Sequence, residues 1–178
     1  PMIGPDPFKP SDHTPAVRAT FGGKQAELTM LLDTGAAASM ISTATAAQLG
    51  IHYDKDGTTL VGVPKQEQFS LQLGGIGGAK SSTGFYLDTL VLPTRGGPPL
   101  IFRHAPVLVG DVTAVDPVTK TKFTLPGVFG MNYLAGSAEI SMKGMLPDIG
   151  DIKAGAFRTI VIDNVHHEMG LERMDGGR

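Results

Sequence analysis

Glycine and proline punctuate this chain from end to end. The 24 Gly and 13 Pro among 178 residues fall between short segments rich in Val, Ile, Leu, Thr and Phe, so each segment soon meets a turn signal. That spacing predicts an all-β architecture with many turns and one or two short helices. One segment stands out within it. Residues 30–36 read Met-Leu-Leu-Asp-Thr-Gly-Ala. An apolar run delivers one Asp into a tight Thr-Gly turn, and an apolar-rich segment resumes beyond it.

The length suits one domain, or at most two small ones, with a sizeable core. The division expected is an N-terminal arm over 1–14, a single domain over 15–171 and a polar C-terminal tail over 172–178. Apolar residues make up 41% and charged residues 18%, which places the chain among globular rather than disordered proteins. The net charge is −2 with no basic block, so neither nucleic acid nor an anionic membrane is an expected partner. Cysteine is absent, which excludes disulfides, thiolate catalysis and Cys-ligated metal. No stretch reaches the roughly 18 continuous apolar residues of a membrane span. The first residue is Pro1 rather than Met, as in a processed or excised product. Modest charge and a turn-rich composition lean toward an exported or envelope setting without fixing the compartment.

Strands are predicted over Ala16–Phe21 and Ala26–Leu32, with Gly22-Gly23-Lys24 as a hairpin signal. Further extended segments are Ser39–Ser42, Thr58–Val63, Gln68–Leu73, Phe85–Leu92, Ala105–Val109, Lys122–Leu125, Ala138–Met142 and Phe157–Ile162. Arg95–Pro99 reads as a turn. Thr43–Leu49 is the best helix candidate, capped by Ser42 or Thr43 and stopped by Gly50. Val128–Leu134 passes from an apolar pair through Gly130 into a short helical turn.

An Asp in such a turn can do acid–base work if a second carboxylate joins it. Hydrolysing a peptide bond without metal or covalent intermediate needs a base to deprotonate water and an acid to protonate the carbonyl or the leaving amine. Two carboxylates about 3 Å apart cannot both ionise, so they share a proton and take both roles. The chain has one Asp-Thr-Gly triplet, Asp33-Thr34-Gly35, so the second carboxylate must come from another chain or from a missing lobe. At average usage of about 5–7% per residue, a given triplet arises by chance in a chain of this length about once in some tens of sequences. An ordinary Asx turn after a strand is the competing explanation. Two more segments bear on the choice. Leu73-Gly74-Gly75-Ile76-Gly77-Gly78-Ala79 is a glycine-rich hairpin tip suited to lying over a bound peptide. Val128-Phe129-Gly130-Met131-Asn132-Tyr133-Leu134 is an apolar pair, a glycine and a short helix.

In this order the three blocks resemble the retropepsin-like aspartic peptidases, over about residues 16–134. The resemblance implies a small closed β-barrel working as a two-fold homodimer, or as one lobe of a longer two-lobed chain. It implies an aspartic endopeptidase acting on an extended polypeptide substrate, with no metal and no organic cofactor. Asp33 would be catalytic, Thr34 would lock two loops together, and Gly35 would meet the substrate backbone. Gly74, Gly75, Ile76, Gly77 and Gly78 would form the flap, while Val128, Phe129 and Gly130 would support the catalytic loop from behind. A non-catalytic binding or dimerisation domain on the same fold is the alternative.

The chain departs from viral members of that family at two linked positions. Ala37 stands where they carry an acid and Met131 where they carry an Arg, so both partners of an ion pair are lost together. This leaves no orphan charge. The longer segments around 50–68, around 93–122 and beyond Leu134 point to a cellular or bacterial type. Ala36 offers no hydroxyl to bond the carboxylate, which predicts a mildly rather than strongly acidic activity optimum.

Other patterns carry less. Gly74 to Ser81 nearly spells a phosphate-binding loop, but Ala79 replaces the required Gly and a strand rather than a helix should follow. His166-His167-Glu168 would point to opposite faces of a strand. Asp111 and Asp116 read as turn-capping residues, and Tyr86 and Asp88 as structural. Asp88 and Asp163 are the other acids weighed as partners for Asp33, and both lack the Thr-Gly context.

Overall fold

The computed structural model describes residues 16–75, 78–93, 99–116, 118–134, 157–163 and 168–173. The arm expected over 1–14, the Arg95–Pro99 turn apart from Pro99, the strand over 138–142 and residues 174–178 lie outside these. So do Ile76, Gly77, His166 and His167.

The described residues are mostly strand. The hairpin β1 (Ala16–Phe21) and β2 (Lys24–Thr29) turns through Gly22 and Gly23, with φ of 55° and 78°. Two successive positive φ values match the right-handed twist of the strands, and glycine adopts them without strain. Val17, Ala19, Ala26 and Leu28 alternate inward along this pair. After Met30 come β3 (Leu31–Leu32), β4 (Met40–Ile41) and helix α1 (Thr43–Gln48). The Ser42 side chain caps the helix by accepting from Thr45 N at 3.1 Å, and Gly50 ends it with φ of 80°. Both signals were readable in the sequence.

Next are β5 (His52–Tyr53), β6 (Leu60–Val61), β7 (Phe69–Gly75) and the long β8 (Gly78–Leu92). β9 (Leu100–Val109), β10 (Thr113–Val115), β11 (Lys122–Thr124) and β12 (Gly127–Phe129) follow. The last pair is β13 (Phe157–Asp163) and β14 (Glu168–Arg173), so Glu172 and Arg173 are paired strand residues rather than tail. Two segments expected to hold extra loop length instead hold small hairpins, β5–β6 and β10–β11.

The main sheet has eight strands in the order β2-β1-β8-β9-β4-β12-β3, with β7 also paired to β8. Its first and last members are consecutive in the chain, joined through Met30. The nearly closed barrel is therefore completed by the covalent chain rather than by hydrogen bonds between β2 and β3. Its core gathers Val17, Ile41, Ile51, Phe85, Leu90 and Phe129. Phe85 is fully buried and meets Phe21 edge-on, ring centroids 5.0 Å apart. Among the described residues no helix is long and apolar enough to cross a membrane. Phe85→Ala should lower stability by about 3–5 kcal/mol, the range for an aromatic truncated in a packed core, and chemical denaturation would measure it.

Candidate active site

Asp33 follows β3 directly, and β3 lies parallel to β12, with Val128 opposite Leu31 and Phe129 opposite Leu32. On its other side β12 runs antiparallel to β4, with Val128 opposite Met40 and Gly127 opposite Ile41. The strand entering the Asp33 loop and the strand leaving it therefore flank β12. The loop between them, residues 33–39, wraps the C-terminal end of β12.

Backbone hydrogen bonds fasten that crossing. Asp33 N donates to Phe129 O at 3.1 Å, and Met131 N donates to Ala36 O at 2.9 Å. Between these two bonds lies Gly130. A Cβ there would stand 2.6 Å from Ala38 O and 2.8 Å from Ala36 O, so only glycine lets the two segments approach this closely. Below them is a buried polar chain. Gly130 N donates to Ser39 Oγ at 2.9 Å, and Ser39 Oγ donates to Asn132 Oδ1 at 2.7 Å. Both side chains are almost fully buried and their polar groups are engaged, as burial requires. Tyr133 then donates its hydroxyl to Pro106 O at 2.6 Å, and its ring packs against Phe102 and Phe129. Burial pushes the Tyr133 hydroxyl above its ordinary range, against the lowering effect of Asn132 and Ser39.

Above this base the turn is tight and open to solvent. Ala36 N donates to Asp33 O at 3.1 Å, and Gly35 N donates to Asp33 Oδ1 at 2.8 Å. One carboxylate oxygen is thus held by the loop's own backbone. Asp33, Thr34 and Gly35 are exposed, Ala36 is half-buried, and a Cβ on Gly35 would crowd Asp33 Oδ1 at 3.2 Å. The Thr34 hydroxyl has no partner among the described residues.

The structure brings Asp33, Thr34, Gly35 and Ala36 together with Val128, Phe129 and Gly130. Gly74, Gly75 and Gly78 sit at the far end of the β7–β8 hairpin, with Gly75 paired to Gly78. Ile76 and Gly77, between them, lie outside the described residues. Other acids have other work. Asp88 accepts from Gly22 N at 2.8 Å, Asp111 from Thr43 N and Oγ1, and Asp116 from Val118 N and Thr119 N. Asp163 ends β13. Lys80 and Ser81 lie in a strand, so the phosphate-loop pattern lacks its helix. Sequence reading gave Ser39 no role and named Asn132 only as part of a block. The available signal was one hydroxyl in an apolar run and one amide in a mostly apolar block.

Ser39→Ala should cost about 1–3 kcal/mol by leaving Gly130 N–H and the Asn132 amide oxygen unpaired. Gly130→Ala should force the Asp33 loop off β12 and remove any Asp33-dependent activity. Denaturation midpoints and peptide cleavage assays check the pair.

The family model for aspartyl proteases matches residues 17–133. No curated protein matches the chain. Among solved structures, the chain is similar to a retropepsin-like aspartic protease from Rickettsia conorii, with a TM-score of 0.40 and 15% identity over 84% of each chain. The family match runs from β1 through the turn that follows Gly130 and takes in well over half of the sequence: the chain belongs to the aspartyl protease family.

Proposed function

We propose that this chain is an aspartic endopeptidase whose active site forms from two copies, each contributing Asp33. The observation that carries this reading is the setting of Asp33. Its backbone is pinned to β12, its carboxylate is oriented by Gly35 N–H, and the turn faces solvent. Membership of the aspartyl protease family supports a protease function. The single Asp33-Thr34-Gly35 per chain supports a dimeric site, since this chemistry takes two carboxylates.

The reaction then runs by acid–base catalysis. One Asp33 carboxylate takes a proton from water, and the oxygen attacks the peptide carbonyl carbon. The protonated carboxyl of the other copy gives its proton to the carbonyl oxygen, forming a tetrahedral diol. As the diol collapses, the first carboxyl passes its proton to the departing amine and the C–N bond breaks. A diol proton returns to the second carboxylate and restores the pair. Thr34 bonds across to the facing loop, Gly35 admits the substrate backbone, and Val128, Phe129 and Gly130 buttress the loop. The substrate is an extended polypeptide lying beneath the glycine-rich β7–β8 hairpin. Ala36, Ala37 and Ala38 present methyl groups beside the site, so charged substrate side chains meet no counter-ion on this segment.

Cleavage of an unfolded polypeptide mixture from about pH 3 to about pH 7.5 tests the reading. The expected result is cutting with a mildly acidic optimum that Asp33→Asn abolishes while the fold persists. Undiminished cutting by Asp33→Asn would overturn the mechanism. An optimum near pH 2 would contradict the role given to Ala36. Absence of cutting by both proteins would favour a binding domain or an isolated lobe.

A further inference from the structure

One lateral row of the sheet ties the β7–β8 hairpin to the Asp33 loop. Successive pairs run from Phe69 to Gly84, Gly84 to Leu108, Leu108 to Met40, Met40 to Val128, and Val128 to Leu31. The row begins at the root of the hairpin and ends two residues before Asp33. Gly84 is its hinge. It forms the last pair of β8 with β7 and the first with β9. From that point outward the hairpin is a two-stranded arm, since β7 pairs only with β8 among the described residues. Such a ribbon holds its direction poorly without side-chain packing.

Phe69 supplies that packing. Phe69, Leu71 and Leu108 are buried together, with Ala38, Met40 and Tyr86 packed against them. This cluster lies on the sheet face opposite Phe85, Leu87 and Val107 of the main core. The Phe69 ring lies over the bare backbone of Gly84, where an ideal Cβ would stand 2.5 Å from Cζ and 2.6 Å from Val107 O. Beside it is Tyr86, with ring centroids 5.2 Å apart. The cluster thus spans the hinge and reaches Ala38 and Met40, on the chain that leaves the Asp33 turn.

We propose that the Phe69 ring, seated on Gly84 and braced through Leu108 against Met40, sets the angle at which the β7–β8 hairpin stands over the catalytic loop. Phe69 is then a positioning residue for substrate binding. The proposal rests on the reading of that hairpin as the cover of the bound peptide.

Its test compares Phe69→Ala, Phe69→Leu and Leu87→Ala, the last being a core truncation on the opposite face of β8, beyond its pairing with β7. Phe69→Ala should raise KM for a peptide substrate about tenfold while kcat stays within about twofold, the pattern of lost binding rather than lost chemistry. Phe69→Leu should recover part of the difference. Leu87→Ala should lower the melting temperature without moving KM. If Phe69→Ala does not fold, Phe69→Leu against Leu87→Ala carries the comparison. An unchanged KM in the Phe69 variants, or an equal rise in Leu87→Ala, overturns the proposal. Amide hydrogen exchange gives a reading independent of catalysis. Exchange should quicken over residues 69–75 in the Phe69 variants and stay unchanged in β1 and β2, whereas uniform quickening overturns the proposal. No cleavage by the unaltered protein would contradict the acid–base reading and leave the exchange pattern to decide this one.

Discussion

The site depends on how closely β12 can approach the loop that carries Asp33. That approach is limited by one atom, the Cβ that Gly130 lacks, because the Ala36 and Ala38 carbonyls occupy its place. With glycine there, Asp33 N reaches Phe129 O and Met131 N reaches Ala36 O, so each segment satisfies the other's backbone. The Ser39–Asn132 pair then closes the underside of the crossing without leaving a buried donor idle. A loop fastened on both sides by backbone bonds holds its carboxylate in one place, and acid–base chemistry requires that.

The rest of the barrel serves this crossing. β4 extends the sheet to β9 and β9 to β8, whose other edge carries β7 near its start and β1 near its end. The strands that deliver Asp33 and those that carry the glycine-rich hairpin therefore belong to one hydrogen-bonded surface. The exposed Asp33–Gly35 turn, with the Thr34 hydroxyl unpartnered among the described residues, is what a half-site meeting its twin would present. Ala37 and Met131 themselves add no charge beside this turn. Packing and backbone bonds hold the loop.

Local signals were legible in the sequence where the chain specifies its own neighbourhood. The Gly22-Gly23 hairpin, the Ser42 cap, the Gly50 stop and the Asp33 turn each rest on contacts within a few residues. The apolar pair before Gly130 and the helical turn after it were legible for the same reason. What escaped was set by distant partners. β5 is two residues long and exists because β6 pairs with it, and β10 depends in the same way on β11. Ser39 gains its role from Gly130 and Asn132, some ninety residues away. Gly84 looks like any strand glycine until Phe69 is found lying across it. The second strand of the last hairpin includes Glu172 and Arg173, whose polarity suggested a tail, because one face of a two-stranded ribbon is open to solvent.

The central claim is that one active site needs Asp33 from two chains. Mixing unaltered protein with Asp33→Asn at constant total concentration, under conditions that let subunits exchange, tests it most directly. If the two carboxylates come from two copies, cleavage falls with the square of the unaltered fraction, because mixed dimers are inactive. A fall in simple proportion to that fraction would mean that each chain works with its own carboxylates, and would contradict the account.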